Sequence, residues 1–426
     1  MTGRAEPVGE PGWREWTWLG LLTAVFLSSA LCVYCIDGLV DPIKRSLRIT
    51  DVQMSLVLGW AYIGPFAVCS LPAGWLSDRA SRRLMLALGA TLWGVGTATC
   101  ALASSYLVLC LGRALVGVGH AALAPAAISI LADIFPSRLR ARTFGVIMAA
   151  LGIGPGVGLT VSGAMLSLAE GLSATPWRVA VLLCAAPVLL APPALLLMRE
   201  PGRAAVAIEA GGAAERQDWR PLLMTLAAVG AVTLSDGAQL SWSAAALVRE
   251  HAISPAEAAR LVGYVFIFCG AAAPLIAGAL GDVFHKRYGA PGRLLVAIVA
   301  VAALVPLQCF YSTGSAAQLL TLLLGTGFTV VTGEVVGAAV LQDLAPAGRR
   351  GLAAAANSLC GLSAIAVGTT SVALVARQRE GAVHAVTEAM SLVTAPSSAV
   401  ALLLLLGLWL MVRRSHRARP VELLAA

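Results

Sequence analysis

Twelve apolar runs dominate this 426-residue chain, and each is long enough to cross a lipid bilayer. The hydrocarbon core of a bilayer is about 30 Å thick and takes roughly 20 residues of α-helix. The runs begin with Trp18 to Val40 and end with Met390 to Val412. Composition agrees: 58% of residues are hydrophobic, 12% are charged, and mean hydropathy is +0.84. An ordinary soluble domain carries about twice that share of charge.

Two of the runs end on the same pattern. GWLSDRASRR begins at Gly74 and GALGDVFHKR at Gly278. Each has an aspartate, Asp78 or Asp282, four residues after its glycine, and then a basic pair, Arg82 with Arg83 or Lys286 with Arg287. A second echo pairs Asp133, Pro136 and Arg140 with Asp343, Pro346 and Arg350 at identical spacing. Duplicated membrane halves of this kind mark a secondary transporter, with its substrate site between the repeats. The expected fold is therefore all-α and integral to the membrane. It has twelve transmembrane helices in two six-helix bundles with pseudo-two-fold symmetry.

Basic residues set the orientation. With the N-terminus inside, 21 Lys and Arg fall in cytoplasmic segments, 8 fall in outer loops, and Arg113 lies within a span. That asymmetry predicts both termini in the cytoplasm, and it explains the net charge of +8 without nucleic acid. The first apolar run is full length, and acidic residues sit among the basic ones before it, which predicts no cleavable signal. The expected location is the inner or plasma membrane. The divisions are a cytoplasmic N-terminus (1–17), a first bundle (18–198), a polar, Gly/Ala-rich linker (199–221), a second bundle (222–412) and a cytoplasmic tail (413–426). All nine cysteines lie in apolar runs, which argues against a disulfide framework, and the CxxC of Cys32 and Cys35 reads as packing. Trp13, Trp16 and Trp18 suit an interfacial belt.

Charges kept inside a membrane are costly and mark function by default. Five groups qualify: Asp37, Arg113, His120, Asp236 and Glu334. The spacing predicts Asp37 near the outer end of span one and Arg113 about 10 Å inward on span four, within reach of a salt bridge. His120 lies two turns deeper on nearly the same face, level with Asp236, while Glu334 lies nearer the cytoplasmic end of span ten. Arg113 suits an anionic head group, Asp37 is its releasable partner, and His120 titrates near neutral pH. The plainer alternative is that Asp37 and Arg113 only hold spans one and four together, and that His120 is a hydrogen-bonded packing residue. No HExxH, phosphate-cradling loop or GxSxG elbow is present, and no other histidine lies in a span. An enzyme, a cofactor and a metal site are therefore not expected.

The Gly74 stretch resembles the loop signature of the major facilitator superfamily, G-x-L-[SA]-D-R-x-[GS]-R-[RK]. RALVGVG from Arg113 is similar to the family's span-four motif, and GPGVG from Gly154 to its motif C. The resemblance covers all twelve spans and implies alternating access by rocking of two bundles. Within that family the chain looks most like the Spinster group. The likeness rests on YCID from Tyr34, on WRVA and REPGR from Trp177 to Arg203, and on WSAAALVREHAISPAEAARLVG from Trp242. Three positions depart from the group: Gly38 follows Asp37 where relatives carry Arg, His120 stands where they carry Glu, and GTTS from Gly368 replaces a Gly-Pro.

The resemblance implies roles by residue. Tyr34, Asp37, Arg113, His120, Asp236 and Glu334 belong to a substrate and proton pathway, with His120 carrying the proton that Glu carries in relatives. Gly74, Asp78, Arg79, Arg82, Arg83, Asp133, Arg140 and Asp282 belong to a cytoplasmic latch, although arginines alone would also serve as membrane anchors. Gly154, Pro155 and Gly158 permit helix packing or a kink in span five. The leading expectation is a proton-coupled carrier of an amphipathic or lipid-like organic anion, working as a monomer among membrane lipids. A drug or metabolite efflux antiporter is the alternative, and a non-transporting sensor on the same scaffold is a third.

Overall fold

A computed structural model describes residues 11–77, 79–198, 200, 219–312, 314–346 and 349–417. Among these residues every regular element is helical, and twelve helices are long and apolar enough to cross a membrane. Spans one to six are Trp13–Leu47, Asp51–Ser77, Arg82–Ala101, Tyr106–Ile134, Arg138–Ala169 and Pro176–Leu197. Spans seven to twelve are Arg220–His251, Pro255–Tyr288, Pro291–Gln308, Ala316–Leu344, Gly351–Arg377 and Ala385–Arg413. Several helices outrun their apolar runs, because polar turns at a helix end stay helical once outside the hydrocarbon. Local chemistry fixes the starts: Ser105 and Ser315 cap spans four and ten, and Thr50 with Gln53 forms a capping box on span two.

Two spans are broken. In span one the α-helix stops at Tyr34, passes through one 3-10 turn over Asp37–Leu39, and resumes at Val40. In span two it stops at Leu58, turns at Gly59 (φ −97°, ψ −89°) and resumes at Trp60. Breaks at membrane depth survive only where something else satisfies the freed carbonyls.

The chain forms two compact units. One is Met1–Ile208 with Ala244–Ile267, and the other is Glu209–Ser243 with Phe268–Ala426. In the first, span three lies on spans four and six, and span five lies on spans one and six. In the second, span nine lies on spans ten and twelve, and twelve lies on eleven. The neighbour pattern of three, four, five and six thus recurs in nine, ten, eleven and twelve, as an internal repeat requires.

Apolar side chains give helices little reason to associate in lipid, so small residues that let backbones touch do much of the holding. Span five shows this within the first unit. A Cβ added at Gly154 would sit 2.5 Å from Ala30, and one at Gly158 would sit 2.7 Å from Tyr34, so both glycines face span one. One at Gly156 would lie 2.6 Å from the Gly263 carbonyl, and one at Gly263 would lie 2.6 Å from the Thr160 amide. Gly156 therefore brings span five against the near part of span eight. The GPGVG run separates two packing faces.

A methyl at Gly156 must displace backbone, whereas one at Gly145, also in span five, meets open space. Gly156→Ala is expected to lower thermal stability in lipid nanodiscs by about 1–3 kcal/mol through overpacking. Gly145→Ala is expected to raise it by up to about 1 kcal/mol through helix propensity. Equal melting temperatures for the two variants would contradict the packing assignment.

Candidate functional site

Arg113 is 1% exposed, and each of its three guanidinium nitrogens donates to a backbone carbonyl. Nε reaches Val57 at 3.1 Å, Nη2 reaches Leu58 at 3.0 Å and Nη1 reaches Val33 at 2.9 Å. These carbonyls belong to the last turn before the breaks in spans one and two, where a helix leaves acceptors unsatisfied and its dipole is negative. One side chain therefore closes both breaks, and the helix ends replace water around its charge. The sequence predicts Arg113 beside Asp37, and Asp37 opens the turn that follows the helix end held by Arg113 at Val33. The carbonyl ligation is the part that the sequence does not show.

Asp37 is 4% exposed in the turn after the first break. A Cβ at Gly38 would lie 2.6 Å from the Ser162 hydroxyl and 3.1 Å from Ala259. The arginine that similar chains place here has no room, because spans five and eight close on this turn. Tyr34 ends the helix just before it.

His120 is enclosed by aromatic rings. Its centroid lies 4.7 Å from Trp93, 4.9 Å from Phe66 and 5.8 Å from Tyr62, whose hydroxyl hydrogen-bonds Nδ1. The glycines of GVGH explain the fit. A Cβ at Gly117 would strike the Tyr62 carbonyl in span two, and one at Gly119 would lie 2.6 Å from the Gly89 carbonyl in span three. The two neighbouring backbones close in and leave the imidazole between them. The Arg113 guanidinium carbon also stands 5.0 Å from the centroid of the Tyr62 ring.

A charge cluster missed in the sequence lies where spans one, two and seven meet in the first unit. Arg249 donates to Asp41 at 2.9 Å and to both carboxylate oxygens of Asp51, at 3.0 and 2.9 Å, and Lys44 also pairs with Asp51. Asp41 and Asp51 lie four and fourteen residues after Asp37, and nothing local marks Arg249 as their partner.

In the second unit the Thr233 hydroxyl donates to the Val229 carbonyl at 3.0 Å, and one carboxylate oxygen of Glu334 is buried without a hydrogen bond among the described residues. A Cβ at Gly333 would lie 3.3 Å from Val232, so span ten closes on span seven one residue before Glu334 and four before Asp236. Beyond them Trp242 donates to the Thr369 carbonyl at 2.9 Å, and the Thr369 hydroxyl to the Gly237 carbonyl at 3.1 Å. The GTTS that replaces Gly-Pro is thus the fastening of span eleven to span seven.

The loop signature gathers a further set in the first unit. Arg82 pairs with Asp133, donates to Ser129 at 3.0 Å and lies 3.6 Å from Glu200. Glu200 accepts from the Ser81 hydroxyl and, at 2.8 Å, from the Arg82 amide. Arg79 stacks on Trp75, Arg140 donates to the Phe135 carbonyl at 3.2 Å, and Arg83 is exposed. Gly74 faces open space, and Asp78 lies outside the described residues. In the second unit Arg293 bridges Asp282 at 2.9 Å and Asp343 at 2.7 Å. Asp133 and its echo Asp343 are each bound by an arginine from the start of the third span of its half. The loop alignment misses this, because Arg82 and Arg293 occupy different offsets.

The profile of the Major Facilitator Superfamily matches residues 22–235. Over 298 residues the chain is 26% identical to an MFS-type efflux pump from Mycolicibacterium smegmatis, which covers 68% of this chain and 67% of the pump. Protein spinster of Drosophila melanogaster is 22% identical over 192 residues, 45% of this chain and 31% of spinster. A solved bacterial homologue of the human lysosomal transporter Spinster, inward-facing and occupied, matches with TM-score 0.78 at 18% identity, over 95% of this chain and 98% of that one. A D-xylose-proton symporter matches with TM-score 0.74 at 15% identity, over 92% and 97%. At these identities the solved structures speak for the fold alone.

Glu200 offers a direct test of the loop cluster. Its burial works toward a higher pKa, but bonds from Ser81 and from the amide and guanidinium of Arg82 outweigh it and hold the carboxyl below the ordinary glutamate value. A depressed carboxyl contributes stability above its unfolded value, about 4.3, and loses that contribution as pH falls through the lower folded value. Amide exchange in the first turn of span three is expected to be protected at neutral pH and to open below about pH 4. Glu200→Gln is expected to open that turn at every pH, and exchange indifferent to both changes would contradict the cluster.

Proposed function

We propose a function from one premise: this chain belongs to the Major Facilitator Superfamily. As a twelve-span membrane transporter of that family, it is read here as a proton-coupled secondary carrier. It moves an amphipathic or lipid-like organic anion by alternating access of its two six-span halves, 18–198 and 222–412. Both termini face the cytoplasm of a cell whose inner or plasma membrane holds the chain.

The observation that supports this most is the enclosure of His120. A titratable ring held by one hydroxyl, with a permanent cation over the same Tyr62 ring and a buried carboxylate at the adjacent break, is a costly arrangement at membrane depth. Proton uptake is the use that fits it. Asp37 receives or releases charge beside Arg113 as the anion arrives, and Asp236 with Glu334 gives the second half its own titratable pair. The Arg82 and Arg293 clusters belong to the cytoplasmic latch, and Arg249 with Asp41, Asp51 and Lys44 belongs to the outer one. The Spinster-like stretches of the sequence, from Tyr34, Trp177 and Trp242, support a lipid-like substrate. The mycobacterial efflux pump, matched over two thirds of this chain, favours a second reading as a drug or metabolite antiporter.

Purified protein in proteoliposomes, offered a panel of lysolipids, organic anions and cationic drugs with and without a pH gradient, separates the readings. Anion accumulation driven by the gradient is the expected result, and drug export in exchange for protons favours the second reading. His120→Gln is expected to abolish gradient-driven accumulation while binding persists, and His120→Glu to restore it with a different pH profile. Wild-type accumulation by His120→Gln would remove the proton from His120.

A further inference from the structure

Tyr62 stands at three junctions at once. It occupies the first turn after the break at Gly59, its amide donating to the Gly59 carbonyl at 3.1 Å. Its own carbonyl lies against Gly117 of span four, and its ring centroid lies 5.0 Å from the Arg113 guanidinium carbon and 5.8 Å from the His120 imidazole. An unbroken span two would not place the hydroxyl in this way, because the turn at Gly59 sets the direction of everything after it.

We propose that Tyr62 is the positioning residue for His120. Its hydroxyl selects one neutral tautomer of the ring and reverses its hydrogen bond when the ring is protonated. In the neutral state the phenol O–H donates to Nδ1, and the ring hydrogen is on Nε2. When a proton arrives at Nδ1, that N–H donates to the phenol oxygen, and the phenol hydrogen turns away. The exchange breaks one hydrogen bond and makes one. The groups that face His120 are few. Span two supplies Tyr62 and the apolar Phe66, span three supplies the indole of Trp93, and span four itself carries Arg113 two turns away. Asp37 and Cys35 of span one lie at the Arg113 end. Tyr62 is the titratable group in direct hydrogen-bond contact, so the ring's response to pH passes through it.

This deepens the proposed proton role of His120 and rests on it, and the test needs no substrate. Trp93 touches the imidazole, and an imidazolium quenches a neighbouring indole. In nanodiscs, the part of the tryptophan emission that Trp93→Phe removes is expected to fall on acidification, and His120→Gln is expected to abolish that dependence. Tyr62→Phe keeps the ring and its packing but deletes the hydroxyl. The midpoint should then move by about one pH unit, the scale of one hydrogen bond to a charged group. Should Tyr62→Phe fail to fold, incorporation of 3-fluorotyrosine, which strengthens the phenol as a donor, is expected to move the same midpoint. A midpoint unmoved by both changes, or an emission that ignores pH in the unaltered protein, overturns the proposal. A midpoint that moves in Tyr62→Phe while His120→Gln still accumulates solute leaves Tyr62 as the positioning residue and removes only the coupling role.

Discussion

The hold of Arg113 on three carbonyl oxygens is the interaction on which the first unit depends. A cation at membrane depth costs roughly 2.5–3.5 kcal/mol even on a lenient scale, and a broken helix there leaves carbonyls without partners. Each problem answers the other. The helix ends at Val33, Val57 and Leu58 supply negative dipole to the guanidinium, and the guanidinium supplies donors to the ends. Asp37 occupies the turn after one break and Tyr62 the turn after the other, so the position of both follows from the same side chain.

Much of the fold was legible because apolar length and a repeated pattern are long-range signals. Twelve runs, two echoing loops and a basic asymmetry survive any local irregularity. The site was legible by residue type and less so by contact. Asp37, Arg113, His120, Asp236 and Glu334 stand out because charge in a span is rare, and Gly154 with Gly158 because glycine is costly in a helix unless something approaches. What remained hidden were partners distant in sequence. Nothing near Arg249 points to Asp41 and Asp51, nearly 200 residues before it, and the Tyr62 bond to His120 joins residues on different spans. The glycines of GVGH carried a readable hint, since two of them, one residue apart and just before a histidine, imply two close neighbours.

The two halves solve one problem with different residues. Asp133 and Asp343 hold equivalent places, yet Arg82 reaches the first from the opening residue of span three, and Arg293 reaches the second from just inside span nine. The third member also differs, Glu200 in one half and Asp282 in the other. What the repeat preserves is a guanidinium between two carboxylates at the mouth of the third span. Departures elsewhere follow the same logic. Gly38 answers the pressure of spans five and eight on the first break, and Thr369 ties span eleven to span seven by hydroxyl and carbonyl.

Hydrogen exchange over residues 31–36 and 55–63 in Arg113→Lys tests the central claim most directly. Lysine keeps the charge but gathers its donors on one nitrogen, which cannot span three carbonyls on two helices. The account predicts faster exchange in both segments together, although they lie on different spans. Exchange unchanged in both, or altered in one alone, would show that the two breaks are held independently and that Arg113 does not join them.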